Sequence, residues 1–398
     1  MPALPDRFNL GDITMNRKRD LSARYAVFVL ILLATVAVAA LGWREPGWAF
    51  LLIVLLPLAC LGIWDVFQRR HTLMRNYPVT AHFRWLLEDL RPFLRQYIVE
   101  GDLTGRPFNR EQRSLVYERA KDVVDSKPFG TDLDVYDNQY ELMNHSIQAR
   151  ELRDTDFRIR VGGPQCRRPY DASLLNISAM SFGALSGRAV EALNWGAREG
   201  GFYQDTGEGG ISPYHRRRGG DLVWEIGTGY FGCRDRHGRC DMAQFADQAQ
   251  SDQVKMVEIK LSQGAKPGHG GILPGTKVTD EIARARHVPA GVECVSPAAH
   301  SAFDSPVTML AFAARLRERS GSKPVGIKLC VGHPWELFAI CKAMVKTDIR
   351  LNYIVVDGAE AGTGAAPEEF SDHMGMALQD YTGRPVPACR SGYNGQSL

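Results

Sequence analysis

The residues that could do chemistry gather in a few short stretches rich in glycine. They read Met180-Ser181-Phe182-Gly183, Thr206-Gly207-Glu208-Gly209-Gly210, Lys260 through Gln263 to Lys266, Ser296-Pro297, Lys328, and Asp357-Gly358 through Gly362-Thr363-Gly364. Glycines let backbone amides approach a flat ring or a phosphate. Lysines among them bring positive charge toward an anionic ligand. A single glycine-rich turn is usually only a turn. A lysine at the end of a buried strand is harder to dismiss, because burying an unpaired ammonium is costly. Two of them, Lys260 and Lys328, point to an anion site.

Such residues need a frame. From about residue 160 short apolar runs alternate with helical patterns, the mark of parallel α/β architecture. The runs predict strands at 175–180, 202–206, 257–261, 292–296, 325–329 and 353–357, with helices over 187–198, 279–286, 307–318 and 334–345. That makes about six β-units in one direction. The predicted fold is an α/β protein with a TIM barrel of the (β/α)8 type, incomplete, over 161–379. In such a barrel the site lies at the C-terminal ends of the strands, where the stretches above fall.

Upstream, residues 68–160 read as a helical connector. One amphipathic helix starts at Phe83, Arg91-Pro92 kinks or ends it, and Asn109 caps another. Two uncharged runs, 25–43 and 47–64, each have the length of a membrane-crossing helix. The polar turn Arg44-Glu45-Pro46 joins them into a hairpin spanning 25–67. Trp43, Trp48 and Trp64 sit at the run ends. Arg17, Lys18, Arg19 and Arg24 precede the hairpin, and Arg69, Arg70 and Arg75 follow it. This bias predicts a two-helix membrane protein in contact with lipid, with residues 1–24 and everything after the hairpin, including the catalytic part, cytoplasmic. Neither run carries an ionisable residue, so anchoring is expected and not transport.

The 398 residues carry 48 Lys+Arg against 45 Asp+Glu, a net charge of +3 that leaves no electrostatic footprint for nucleic acid. The eight cysteines form no C-x-x-C pair. Cys233 and Cys240, with six residues between them in an Arg- and His-rich segment, are spaced wider than the usual zinc knuckle. No metal is expected, and free thiols suit a reducing compartment.

The stretch 178–186, then Thr206-Gly207-Glu208-Gly209-Gly210, then Glu258 through Gly275 (EIKLSQGAKPGHGGILPG), Ser296-Pro297, Lys328 and 357–364 follow one another as in the FMN-binding domain of glutamate synthase. The resemblance covers roughly 160–375. The hairpin and Phe129-Gly130-Thr131-Asp132 resemble that family's membrane-anchored, stand-alone branch. The resemblance implies an FMN-dependent oxidoreductase acting on CH–NH2 donors. It would form glutamate, or a related amino acid, from 2-oxoglutarate and ammonia or another amine. By position, Glu208 and Lys328 would be catalytic. Met180, Ser181, Thr206, Gly207, Lys260, Gln263, Asp357, Gly358, Gly362 and Thr363 would hold the cofactor, and Lys266 and Ser296 the substrate.

Departures from the family pattern are also visible. The iron–sulfur cluster found in the family has no ligand set here, since Cys389 alone cannot hold one. The region of the family's glutaminase domain is a hairpin, which implies a separate amidotransferase or electron-donor subunit. His269 stands where the family has Glu. Residues 380–398 lack strand–helix periodicity and read as a truncated or frame-shifted end, so weak FMN binding is expected. A non-catalytic membrane-anchored pseudoenzyme of the same barrel family is the alternative.

Overall fold

The computed structural model describes residues 10–378 except 124–125, 139, 141, 152–155, 265–267 and 269. The 380–398 tail, Lys266 and His269 therefore lie outside the described residues. The chain divides into two compact units, Met1–Ile147 and Gln148–Leu398.

In the first unit, α1 (Leu10–Arg44) and α2 (Leu52–Phe67) form a helical hairpin closed by a 3-10 turn, Pro46–Leu51. Within it, Ala23–Arg44 and Pro46–Phe67 are each long and apolar enough to cross a membrane, by length and composition. Leu30, Leu33, Val36, Ile53 and Val54 point outward, the reverse of a water-soluble core. The helices approach closely because Gly62 has no side chain. A Cβ there would stand 2.3 Å from the Phe28 ring. Buried Asp65 accepts from the Val79 amide at 2.9 Å and meets His82 Nε2 at 3.0 Å, tying the end of α2 to the residues after it. Next come α3 (Thr72–Asn76), α4 (Thr80–Leu94) and α5 (Arg110–Lys121). Pro92 does not end α4, which runs through it into a π turn, Arg95–Val99. Asn109 caps α5 in a reciprocal capping box with Gln112.

The second unit opens with an antiparallel pair, β1 (Arg158–Val161) and β2 (Tyr170–Ser173). The chain continues through α6 (Gly187–Gly200), β3 (Gln204–Asp205), α7 (Pro213–Arg216), β4 (Leu222–Ile226), α8 (Met242–Ala249) and β5 (Val254–Lys260). Then follow β6 (Ile272–Leu273), α9 (Asp280–Arg286), β7 (Cys294–Val295), α10 (Pro306–Arg319), β8 (Val325–Cys330), α11 (Pro334–Thr347), β9 (Ile354–Asp357) and α12 (Glu368–His373). Strands β3-β4-β5-β8-β9 pair in parallel in that order, a curled half-barrel. The helix starts are well specified. Ser186 and Asp241 cap α6 and α8, and Ser305 with Thr308 boxes the start of α10, where Pro306 sits at the first turn.

Strand alternation decides what each face carries. Leu222, Trp224 and Ile226 of β4, Val257 and Ile259 of β5, and Val325, Ile327 and Leu329 of β8 pack against Phe245, Leu310, Phe312, Leu316 and Leu337 of the helices. Each such side chain contributes roughly 1.5–3 kcal/mol by leaving water. The intervening residues face the concave side, and there the pattern is charged: Glu225, Glu258, Lys260, Lys328 and Asp357.

Two strand expectations are corrected, and one strand was missed. Residues 175–180 form no strand; only Ile177 bridges Gln204 in parallel at the sheet edge. The 292–296 run leaves the parallel sheet, because Cys294–Val295 pairs antiparallel with Ile272–Leu273. The strand β4 was not anticipated, because Glu225 breaks its short apolar run.

Candidate functional site

The C-terminal ends of the parallel strands carry a row of alternating charges. Glu208, in the loop after β3, meets Lys260 Nζ at 3.2 Å. Glu225 of β4 lies 3.9 Å from Lys260 and 3.5 Å from Lys328. Lys328 meets Asp357, the last residue of β9, at 3.6 Å. The register makes the row possible, since Glu225 pairs with Glu258 and Lys260 with Lys328 across neighbouring strands. Glu225 is 1% exposed and bridges both ammoniums. Burial on its own would lower both lysines. The carboxylates outweigh it and hold each above its ordinary value, Glu225 and Asp357 first for Lys328, Glu225 and Glu208 first for Lys260.

Behind Glu225 lie two more carboxyls, with oxygens of Asp205, Glu225 and Glu258 within 4.8 Å of one another. Burial, then the charge of Glu225, pushes Asp205 up to about 8. Burial and then Asp205 and Glu225 push Glu258 well above the carboxylate range. Both are pushed toward their protonated forms. A triad of this shape attracts a cation, and here the two ammoniums supply it. Asp205 also accepts the Gly207 amide at 2.9 Å, which fixes the turn after β3.

Around the row the chain comes very close to itself. Gly207, at φ +64°, would place a Cβ 2.6 Å from the Ser181 amide nitrogen, so Met180-Ser181 and Thr206-Gly207 are in contact through glycine alone. Thr206 is fully buried; its hydroxyl donates to the Gly207 carbonyl at 3.0 Å and accepts from the Glu225 amide at 3.1 Å. Ser296 donates its amide to the Gly271 carbonyl at 2.8 Å, and a Cβ on Gly271 would meet Glu208 at 2.7 Å. Gln263 donates to the Gly362 carbonyl at 3.2 Å. Glu208, Thr228, Lys260, Gln263, Gly271 and Pro297 line a cavity of about 30 Å³.

The structure thus brings Met180, Ser181, Thr206, Gly207, Glu208, Lys260 and Ser296 to one side of the row. Gln263, Lys328, Asp357, Gly358 and Gly362 lie on the other. Lys328 lies within β8 with two residues still to run, and Thr363 stands exposed on a 3-10 turn. Sequence reasoning missed Asp205, Glu225 and Glu258. The argument that singled out the lysines would have found them, since a lone carboxylate inside a short apolar strand has the same desolvation cost.

It also missed the brace under Lys260. His300 is buried, and its Nε2 donates to the Lys260 carbonyl at 2.8 Å, leaving Nδ1 to accept from the Tyr230 hydroxyl at 3.1 Å. That hydroxyl in turn accepts from the Ala302 amide at 3.1 Å. Burial lowers the His300 pKa, which favours the neutral imidazole.

Residues 132–380 match the conserved region in glutamate synthase. A glutamate synthase large subunit-like protein of Bacillus subtilis, YerD, is 35% identical over 370 residues, which are 82% of this chain and 70% of that protein. An archaeal-type glutamate synthase [NADPH] of Thermotoga neapolitana is 36% identical over 203 residues, 51% of this chain and 37% of that protein. An archaeal glutamate synthase [NADPH] of Methanocaldococcus jannaschii is 30% identical over 242 residues, 61% and 43% of the two chains. The chain spans less than half the length of these two archaeal-type relatives.

Proposed function

Because this chain belongs to the glutamate synthase family, we propose that its half-barrel is the FMN-bearing part of an oxidoreductase that makes glutamate from 2-oxoglutarate and ammonia. The observation that carries the reading is the row of charges at the strand ends, with two buried ammoniums set among glycine loops. FMN, when bound, supplies the hydride. The residues present fit such a group. Gly207 and Gly271 keep the backbone flush against Ser181 and Glu208, and a Cβ at either would fill that space.

In this reading Met180, Ser181, Thr206, Gly207, Gln263, Asp357, Gly358, Gly362 and Thr363 hold the cofactor, with Lys260 and Lys328 as its positive partners. Ser296 and Lys266 take the carboxylates of the substrate. Glu208, at the cavity wall and paired with Lys260, holds or moves the proton that the new amine requires. The row has a reason to alternate: each ammonium is held charged by a carboxylate on either side, ready for an anion without a bare charge in the core. The overall change is 2-oxoglutarate plus ammonia plus two electrons and two protons, giving glutamate and water. The hairpin is proposed as a membrane anchor, with basic flanks that put the half-barrel on the cytoplasmic side.

The test is direct. Detergent-solubilised protein, given FMN held reduced by dithionite, 2-oxoglutarate and ammonium, is expected to release glutamate detectable by mass spectrometry. Glu208→Gln should cut the yield on the order of a hundredfold, the loss of one charged site contact. Glutamate formation equal to that of free reduced FMN would refute the reading.

A further inference from the structure

Outside the site, two cysteines meet across a braced hairpin. Cys233 and Cys240 flank an antiparallel turn in which Arg234 pairs with Cys240, and the Asp241 amide donates to the Cys233 carbonyl at 2.8 Å. The turn is held independently of the sulfurs. The Asp235 carboxylate accepts the amides of His237 and Arg239 at 2.8 Å each, and the Asp235 amide donates to the Arg239 carbonyl at 2.8 Å. The two thiols are hydrogen-bonded to each other. Cys233 is fully buried and Cys240 half-buried, so a reagent meets Cys240 first. Beside the turn, Arg236 shares a groove of about 640 Å³ with Arg284 and His287, against one carboxylate, Asp280.

We propose that Cys233 and Cys240 form a reversible dithiol–disulfide site that is oxidised by a small anionic disulfide docking in the basic groove beside the turn. The Cys240 thiolate attacks the disulfide RSSR, giving a Cys240–S–SR bond and releasing RS⁻. Cys233 then attacks the Cys240 sulfur, the second RS⁻ leaves, and the two cysteine protons accompany the two leaving thiolates as RSH. Two protein thiols are oxidised and one RSSR is reduced to two RSH. The order follows from the environment. Cys233 is held protonated, first by its hydrogen bond with Cys240 and then by burial. Capping Cys240 removes the first of these causes. The bridge sets Cys233 and Cys240 one residue out of register across the turn, and their thiols are already in contact. In a reducing compartment such a bond is transient, not structural.

The experiment uses the full chain in detergent, treated with oxidised glutathione, alkylated, digested with trypsin and read by mass spectrometry. Trypsin cuts at Arg234, Arg236 and Arg239, so the two cysteine peptides stay together only through their own disulfide. The expected result is that linked pair, lost on adding dithiothreitol and absent in Cys240→Ser. Oxidised glutathione should react about fivefold faster than the uncharged 2-hydroxyethyl disulfide at low salt, and Arg236→Ala should narrow the gap. Alkylation of both cysteines after treatment, or a glutathione adduct that persists on Cys240 with Cys233 still free, would overturn the dithiol site. Equal rates for the two reagents would overturn the anionic partner.

Discussion

The two ends of the parallel sheet each bury lysine, and they do so in opposite ways. At the C-terminal end Lys260 and Lys328 lie among Glu208, Glu225 and Asp357. At the N-terminal end Lys323, ahead of β8, is 3% exposed and donates to the carbonyls of Ala249 and Ser251 at 2.6 and 2.7 Å. Those carbonyls close the end of α8, where helix dipoles favour a cation. Carboxylates hold the first two lysines above their usual value, while burial lowers Lys323 to about 8. Of its charged neighbours, Arg168 and Lys255 lower it further and Asp252 opposes them. Burial of a lysine therefore does not mark function. What surrounds the ammonium separates a charged site from a structural clamp.

The largest effect that would sharpen this contrast is at Glu225. Glu225→Gln leaves both ammoniums short of their shared carboxylate, and about 3–5 kcal/mol of stability should go, read as a lower urea midpoint. An unchanged midpoint would mean the row is not a coupled unit.

Acidity gives the next largest effect. Asp205 is raised by burial and by Glu225 to about 8, so its contribution is complete at acid pH and is lost as pH rises through 8. Buried His215 is lowered to about 4, so its contribution runs the other way and is lost as pH falls below about 6.5. Between about pH 6.5 and 8 the raised Asp205 lowers stability by about 2 kcal/mol, partly offset near pH 8 as Lys323 begins to lose its proton. Thermal melts across that range check it, and Asp205→Asn should flatten them. A wild-type melting temperature that climbs from pH 6.5 to 8 would contradict the protonated pair behind Glu225.

Smaller changes belong to the N-terminal end. Lys323→Met removes two hydrogen bonds and should cost about 1–3 kcal/mol in denaturation while leaving ligand binding intact. Asn352 accepts from Arg317 Nε at 3.2 Å and from the Val325 amide at 2.9 Å. Asn352→Ala should cost about 1 kcal/mol, again with no effect on the site. If either variant weakens ligand binding tenfold, the two ends are not independent.

Much of this was legible in the sequence. Glycine-rich strand ends announce themselves because only glycine allows the contact at Gly207, and Lys260 and Lys328 stand out in apolar runs. The helix start at Asn109 was readable from its capping side chain. What hid was charge inside strands: Glu225 made Leu222-Val223-Trp224-Glu225-Ile226 look too polar for a buried strand, although its partners neutralise it. Pairing also hid, because 292–296 has the apolar texture of a sheet strand. Nothing local says that it will join Ile272–Leu273 in a separate antiparallel pair.

Titration of FMN into the full detergent-solubilised chain tests whether Lys328 and its neighbours form a flavin site. Wild type and Lys328→Met should be compared with Lys323→Met as the control of equal burial, following flavin fluorescence and the visible spectrum. Lys328→Met should weaken FMN binding by about a hundredfold relative to wild type, while Lys323→Met should bind as wild type does. Equal affinities for all three chains would show that the row of charges serves the fold alone.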